Sequence, residues 1–240
     1  MNNIEYSPLF YFDKELKPRP EIVKPVEPKT TIDNILEIQG DKKHYTVWFE
    51  KYRPVTFNEI IGQEKTIMSI KRNLNNLPHM ILEGKAGIGK TTLVKVICNE
   101  INATLLELNS SDERGINIIR GKVTDFIRHS SFNNSLKIVF FDEADSMTSE
   151  AQESLKAIIE KHSTKTRFIF ACNDIKRIID PIKSRCKTYH FESIDPFDMH
   201  KRLKHIIEAE HLTITNNELN KIIDDSEGDF RRAINELQTY

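Results

Sequence analysis

The feature that most constrains this chain is an eight-residue segment, GKAGIGKT, at positions 84–91. It follows a short apolar run, HMILEG (79–84), which we predict to be a buried strand, and it precedes a stretch with apolar residues at helical spacing. Glycines permit backbone angles that other residues resist, so the amide groups of such a turn can converge on an anion. A helix that begins there directs its positive end to the same place. The segment therefore predicts a strand–loop–helix unit built around a phosphate site.

The pattern G-x-x-x-x-G-K-[ST] also assigns roles within this loop. It predicts that Lys90 contacts the β- and γ-phosphates of a nucleotide and that Thr91 holds Mg²⁺ through its hydroxyl. We expect nucleotide contacts from the whole loop and from the residue after it, namely Gly84, Lys85, Ala86, Gly87, Ile88, Gly89, Lys90, Thr91 and Thr92. The alternative, a glycine-rich turn that binds nothing, is disfavoured by the strand–loop–helix context.

Two adjacent carboxylates end another apolar run, KIVFFDE (137–143). Because ligands bind at the carboxyl ends of the strands in open α/β sheets, we expect Asp142 and Glu143 to lie beside the phosphate loop. Asp142 is expected to orient Mg²⁺ or its water molecules, and Glu143 to polarise the water that attacks the γ-phosphate. An acidic loop with a capping role is the alternative, which the position at a strand end disfavours.

Asn173 ends a third predicted strand, RFIFACN (167–173), and should reach the same edge of the sheet. A polar side chain there can hold the attacking water or sense the γ-phosphate. A simpler role is equally open from position alone, in which Asn173 caps the turn between the strand and the following helix.

Apolar strands alternate with helical stretches through the middle of the chain. Besides the three strands above, we predict strands at TLLELN (104–109) and TYHFE (188–192), and helices over 116–130 and 149–161. This alternation is typical of a parallel sheet covered on both faces. The predicted fold class is therefore α/β, with a five-stranded parallel sheet flanked by helices.

Local motifs mark where three of the helices begin. Ser149 with Gln152, and Thr215 with Glu218, have the spacing of capping boxes. Asp195 is an N-cap residue followed by proline at the first helical position.

The chain divides into three regions by pattern. Residues 1–45 hold five of the nine prolines among mixed charges, which predicts a poorly ordered extension, unless its aromatic residues dock on a neighbouring surface. Residues 46–193 form the predicted α/β nucleotide-binding domain. After Phe191 the pattern is helical only, so we predict a small all-helical lid over 194–240.

Composition excludes some classes of protein. The 35 basic and 36 acidic residues leave a net charge of −1, which excludes nucleic-acid binding through bulk charge but leaves room for a local basic surface. No apolar run approaches the ~18 residues of a membrane span, and the N-terminus lacks the pattern of a secretory signal. The three cysteines have no CxxC spacing, which indicates reduced thiols. We expect a soluble intracellular protein without a membrane partner, in the nucleus if the source is eukaryotic and otherwise in the cytoplasm.

Several strings resemble those of replication factor C small subunits, which are clamp-loader ATPases of the AAA+ class. These strings are WFEKYRP (48–54), FNEIIGQE (57–64), LNSSDERGI (108–116), FFDEADSMTSEAQESL (140–155), TRFIFACN (166–173), PIKSRC (181–186) and GDFRRAINELQ (228–238). The resemblance covers positions 48–240. It implies an AAA+ fold, ATP and Mg²⁺ as ligands, and hydrolysis of ATP.

The resemblance implies further site residues. Arg185 would be an arginine finger that reaches the γ-phosphate bound by a neighbouring subunit, whereas without the resemblance it would be a surface arginine. Arg231 would be the sensor-2 residue, which reaches from the lid to the subunit's own nucleotide. The adenine side of the pocket would be formed by Tyr52, Arg53, Pro54 and the backbone near Ile60 and Ile61.

Partners are implied in the same way. The chain would join other clamp-loader subunits in a hetero-oligomeric, pentameric ring that opens a sliding clamp and loads it onto primer–template DNA during replication and repair. The DNA phosphates would be contacted by Arg114, Arg120 and Lys122, although an ordinary solvated helix face is the alternative for Lys122.

Two departures from the family pattern leave alternatives open. The usual loop G-P-P-G-T-G-K-T is here GKAGIGKT, so Lys85 and Ile88 change its stiffness and charge. The chain also stops at Tyr240, inside the lid and before the collar that holds the ring together, so we expect a fragment or assembly through other contacts. A non-hydrolysing assembly or regulatory subunit is one alternative function. Another AAA+ machine, such as a branch-migration motor, is a second one, which the strings at 108–116 and 181–186 disfavour.

Overall fold

A computed structural model describes residues 46–112, 116–129 and 135–240 of the chain. The predicted extension over 1–45 and the predicted DNA contact Arg114 lie outside these ranges. The described part contains a five-stranded parallel sheet with the strand order β2-β3-β4-β1-β5. The strands are β1 (Met80–Glu83), β2 (Thr104–Asn109), β3 (Lys137–Asp142), β4 (Thr166–Cys172) and β5 (Lys187–His190). The predicted fold class is confirmed.

Helices cover the sheet and form the lid. Around the sheet lie α1 (Trp48–Lys51), α2 (Glu64–Lys71), α3 (Lys90–Glu100), α4 (Ile116–Arg128), α5 (Ser149–His162) and α6 (Asp180–Lys183). The lid consists of α7 (Pro196–Ala209), α8 (Asn216–Ser226) and α9 (Phe230–Leu237). Short 3-10 turns occur at Phe57–Glu59, Leu74–Asn76, Ala144–Ser146 and Ile175–Arg177. Among the described residues, no helix combines the length and the apolar character needed to cross a membrane.

Both faces of the sheet are buried, as expected for parallel strands. On β3, Ile138 and Phe140 pack into one core with α2, α3 and the lid helices, whereas Val139 and Phe141 pack into a second core with α4 and α5. The ring of Phe141 stacks on that of Phe170 in β4 at a centroid distance of 5.0 Å. The lid therefore shares the core on one face of the sheet.

The local motifs had different outcomes. The capping box of Thr215 and Glu218 is present, and the Asp195 side chain accepts a hydrogen bond from the Phe197 amide at 2.8 Å. The predicted capping box at 149–152 is wrong, because Thr148 is the N-cap of α5. Gln152 is buried, and its side chain bonds instead to backbone groups in the 147 and 177–179 segments.

Candidate functional site

The carboxyl ends of β1, β3 and β4 open into a cleft, which is walled on the far side by α1 and α9. Most of the predicted site residues line it, namely Tyr52, Arg53, Pro54, Ala86, Gly87, Ile88, Gly89, Lys90, Thr91, Thr92, Asp142, Glu143, Asn173 and Arg231, together with Ile60 and Ile61.

The phosphate loop holds its lysine from several sides. Gly87 and Gly89 adopt left-handed backbone angles, with φ of 72° and 100°, and Gly89 is the N-cap of α3. Lys90 is 8% exposed, and its ammonium donates to the carbonyl oxygens of Gly84 and Lys85, each at 2.6 Å. Gly84 and Lys85 contribute in this way without lining the cleft. Burial lowers the pKa of Lys90, and the nearby Asp142 charge opposes that shift.

The loop and β3 meet through a direct hydrogen bond. The Thr91 hydroxyl, in the first turn of α3, donates to Asp142 Oδ2 at 2.8 Å. A hydroxyl and a carboxylate are oxygen donors of the kind that Mg²⁺ prefers, and Mg²⁺ usually takes one or two carboxylates and completes its shell with phosphates and water. No group of three His, Cys, Asp or Glu side chains within the described ranges is arranged for a metal. Thr91 and Asp142 therefore supply donors of the kind that Mg²⁺ arriving with a nucleotide would need.

Glu143 projects from a strained position at the end of β3. Its φ of 51° places a non-glycine residue in the left-handed region, and its carboxylate accepts a hydrogen bond from the Ser111 hydroxyl beyond β2. The side chain is exposed at the cleft. The carboxylate is thus free of any cation among its described contacts and is held by a neutral group that another donor can replace.

Asn173 lies between the loop and the β3 turn. Its side-chain oxygen accepts from Lys90 Nζ at 3.1 Å, and its backbone amide donates to the buried Asp145 at 3.3 Å. The cap of the next turn is Asp174, whose side chain accepts from the Lys176 amide at 2.9 Å. The capping role considered for Asn173 therefore belongs to its neighbour.

The segment at 48–54 and the lid form the remaining wall. The Tyr52 hydroxyl donates to Glu210 Oε1 at 2.7 Å, and burial together with that carboxylate raises the pKa of Tyr52. Arg53 donates to the Thr92 hydroxyl at 3.3 Å and forms an ion pair with Glu50. Arg231 reaches the cleft from the first turn of α9.

Some lining residues were not predicted as part of the site. They are Phe49, Glu59, Ala171, Cys172, Ile194, Phe230 and Ile234. The apolar pattern of α9 indicated a core face for Phe230 and Ile234, and only the fold shows that this face borders the cleft. The WFEKYRP string was the one available indication for Phe49.

Other predicted residues lie away from this cleft. Arg185 precedes β5, whose first residue pairs with Met80, the first residue of β1, so Arg185 lies near the amino edge of the sheet. Its guanidinium donates to the Pro181 carbonyl at 2.7 Å and forms an ion pair with Glu160. Arg120 and Lys122 are exposed on α4.

Comparison with known proteins agrees with this geometry. Residues 80–193 match the family model of the ATPase family associated with various cellular activities (AAA), and residues 201–240 match the RCF1/5-like AAA+ ATPase lid domain. The replication factor C small subunit of Archaeoglobus fulgidus is 39% identical over 204 residues, which cover 82% of this chain and 64% of that protein. The chain thus carries an AAA ATPase domain and an RCF1/5-like lid domain, and over about 80% of its length it is similar to replication factor C small subunits.

Further relatives give the same picture. The replication factor C small subunit of Methanococcus maripaludis is 41% identical over 200 residues, covering 80% of this chain and 64% of that subunit. Small subunit 1 of Pyrobaculum arsenaticum is 42% identical over 199 residues, covering 80% and 60%. This chain therefore spans less than two thirds of the length of these replication factor C subunits.

Solved structures support the fold alone. The Thermotoga maritima RuvB protein, described as a Holliday junction branch migration motor, superposes with a TM-score of 0.65 at 21% identity, covering 76% of this chain and 63% of RuvB. A RuvB mutant gives 0.67 at 20% identity, covering 77% and 64%. At such identities the shared AAA+ architecture carries no argument about function, whereas the replication factor C relatives share nearly twice as much sequence.

Proposed function

We propose that this chain is an ATPase subunit of a DNA sliding-clamp loader, with a nucleotide-binding domain over 46–193 and a lid over 194–240. The observation that carries the proposal is the 2.8 Å contact between Thr91 and Asp142, with Lys90 and Glu143 at the same cleft, in a chain similar to replication factor C small subunits. The assembly would use ATP to open a ring clamp and load it onto primer–template DNA.

ATP would bind with its adenine against Tyr52, Arg53 and Pro54 and its phosphates in the loop. Lys90 now donates to two neutral carbonyls, and phosphate oxygens are stronger acceptors for an ammonium because both partners of the hydrogen bond are then charged. Thr91 and Asp142 would hold Mg²⁺, which neutralises part of the phosphate charge when it is bound.

Hydrolysis would depend on Glu143 as the general base. Its carboxylate would exchange the hydrogen bond from Ser111 for one from a water molecule, and would accept that water's proton as the water attacks the γ-phosphate in line. Asn173 would orient the same water, while its backbone amide is held by Asp145. Arg231 would contact the nucleotide from the lid, so that lid closure and nucleotide binding are coupled.

Arg185 would act on the cleft of a neighbouring subunit. Its position near the amino edge of the sheet lies away from the chain's own cleft, which supports a role across an interface. The Glu160 carboxylate that now pairs with it is at the surface, so the pair can open at low cost.

DNA phosphates would be contacted by exposed basic side chains. Arg120 and Lys122 on α4 are exposed, which supports this role, and Arg114 just before α4 is proposed with them. Each phosphate contact adds a modest, salt-dependent increment without sequence preference. A ring of subunits would multiply that increment, which is compatible with a net charge of −1.

The test is ATP turnover by this chain together with the other clamp-loader subunits, a sliding clamp and primer–template DNA. We expect turnover that rises when clamp and DNA are both present, because DNA would align Arg185 with the neighbouring nucleotide. If ATP binds but single-turnover experiments detect no hydrolysis with any combination of partners, the chain is instead the non-hydrolysing subunit named above.

A further inference from the structure

The segment that walls the cleft is joined to both the lid and the phosphate-loop helix. On the lid side, the Trp48 amide donates to Gln238 Oε1 at 2.9 Å, and the Tyr52 hydroxyl donates to Glu210. On the other side, Arg53 donates to Thr92 in α3. A side chain carried by α1 is therefore fixed relative to the lid and to the phosphate loop at the same time.

One such side chain contacts the predicted sensor-2 arginine. The Arg231 guanidinium lies over the ring of Phe49, 5.7 Å from its centroid, and both residues line the cleft. Phe49 is partly buried against the core shared with the lid, whereas Arg231 is exposed. The aromatic face thus gives an otherwise solvent-exposed cation a defined position at the mouth of the cleft.

Arg231 lies in a region that is unfavourable for a cation. It is in the first turn of α9, where the helix dipole places positive partial charge. The pKa of Lys90 is lowered by burial and, to a lesser degree, by the Arg231 charge, so the two cations repel each other across the cleft. The nearby Glu50 carboxylate is already paired with Arg53. This arrangement leaves Arg231 with a positive charge that an anionic ligand would satisfy.

A ring and a carboxylate would hold this arginine in different ways. A carboxylate would neutralise the guanidinium and compete with phosphate for its hydrogen-bond donors. A ring attracts the cation through its quadrupole but uses none of those donors. The ring also limits the rotamers of the arginine before a ligand binds. Less side-chain freedom is then lost on binding, which reduces its entropic cost.

We propose that Phe49 is a positioning residue that holds Arg231 toward the phosphates of the bound nucleotide. The inference rests on the proposed function, because it takes ATP as the ligand of this cleft. It assigns a role to the second position of the WFEKYRP string that the resemblance leaves unspecified. ATP affinity should therefore depend on Phe49 through Arg231 and not through packing.

The experiment is a double-mutant cycle on the full chain, with the Kd for ATP and Mg²⁺ measured by calorimetry. Phe49→Leu keeps an apolar side chain and removes the ring. We expect it to weaken ATP binding roughly 2- to 5-fold, the change that corresponds to the ~0.5–1 kcal/mol of an exposed cation–π pair. Arg231→Ala should weaken binding further, and the double variant should bind no more weakly than Arg231→Ala alone.

Two other variants keep the result interpretable. Phe49→Trp retains a ring and should restore the wild-type Kd, which a merely packing role does not predict. Phe197→Leu makes the same change at a phenylalanine of the lid that is 76% exposed and outside the cleft, and should leave the Kd unchanged. Thermal melting of each variant checks that it is folded, and if Phe49→Leu is unfolded, Phe49→Met, which also removes the ring and stays apolar, takes its place in the cycle.

The outcomes separate this inference from the proposed function. If the losses from Phe49→Leu and Arg231→Ala are additive, or if Phe49→Leu binds ATP like the wild type, Phe49 does not act through Arg231 and the inference is wrong while the proposed function stands. If the wild-type chain does not bind ATP at all, the proposed function and the inference both fail.

Discussion

The two edges of the sheet use the same kinds of side chain in different ways. At the carboxyl edge, side chains bond to one another, as Thr91 does to Asp142 and Lys90 to Asn173, although Lys90 also donates to two carbonyl oxygens of the phosphate loop. At the amino edge, Lys137 donates to the carbonyl oxygens of Phe126 and Ile127, at 2.8 and 2.9 Å. Arg167 and His79 bond there to backbone groups as well.

The difference separates function from stability. At the carboxyl edge a ligand can take the place of a side-chain partner, such as the Ser111 hydroxyl on Glu143, without removing the partner of a backbone group. At the amino edge the partners are backbone groups at the ends of helices and strands, and leaving such a group buried without a partner destabilises the folded state. Arg185 is an exception near the amino edge, because one of its partners is the exposed carboxylate of Glu160. The comparison predicts that substitutions at the two edges have separable effects.

The largest effect is expected from Arg185→Ala. The isolated chain should bind ATP with an unchanged Kd, because Arg185 is outside its own cleft, whereas turnover by the assembly should fall ~10³–10⁵-fold, as for other arginine fingers. Lys161→Ala removes another exposed cation near the same edge and should leave turnover unchanged. A loss of ATP affinity in the isolated Arg185→Ala chain would contradict the prediction that substitutions at the two edges of the sheet have separable effects.

The second prediction concerns Lys137→Met, which keeps the apolar stem of a residue that is 7% exposed. The change leaves the last carbonyls of α4 without their donor and should cost about 2–4 kcal/mol of unfolding free energy. For a domain of this size, that lowers Tm by roughly 5–15 °C. ATP affinity below the transition should remain that of the wild type. Lys165→Met, at an exposed lysine, is the control, and a Tm equal to the wild type in Lys137→Met would contradict the account.

The third prediction is that Thr91→Val reduces the magnesium dependence of ATP binding. The variant loses one of two proposed ligands, so affinity in the presence of Mg²⁺ should fall about 10- to 100-fold, a loss typical of a perturbed metal site. With a chelator present, variant and wild type should bind ATP equally weakly. Thr164→Val, in an exposed turn, serves as the control. Retention of full magnesium dependence would show that Thr91 is not a ligand.

The smallest effect is a pH dependence at the amino edge. Burial lowers the pKa of His79 from 6.5 to about 4, and its neutral ring accepts from the Phe168 amide at 3.1 Å. Because the unfolded chain binds the proton more readily, stability should fall as the pH drops from 6.5 toward 4. His79→Asn keeps an acceptor that does not titrate, so its Tm should fall less over this range. If the Tm of the wild type and of His79→Asn falls by the same amount over this pH range, His79 does not contribute to the pH dependence of stability.

Much of the carboxyl edge could be predicted because its rules are local. The phosphate loop needs glycines, a lysine and a threonine at fixed spacing, and apolar runs such as that ending at Asp142 are unambiguous strands. The same holds for the helix starts at Asp195 and Thr215, where the bonding groups are two or three residues apart.

The features that were missed depend on tertiary contacts. Gln152 has the spacing of a capping box, but burial gives it backbone partners 25 and 27 residues away, and Thr148 caps the helix instead. Helix α2 has only two buried residues, so the apolar spacing in its sequence is too short to indicate a helix. The position of Phe49 over Arg231 joins two ends of the domain, and nothing in either local sequence indicates it.

The central claim is that the carboxyl edge of this chain hydrolyses ATP with Glu143 as the base. The most direct measurement is the single-turnover rate of Glu143→Gln beside that of Glu153→Gln, an identical change on the exposed face of α5, with partner subunits, clamp and primer–template DNA present. We predict that Glu143→Gln binds ATP with the wild-type Kd but hydrolyses it ~10²–10⁴-fold more slowly, and that Glu153→Gln behaves as the wild type. Hydrolysis by Glu143→Gln at the wild-type rate would contradict the account.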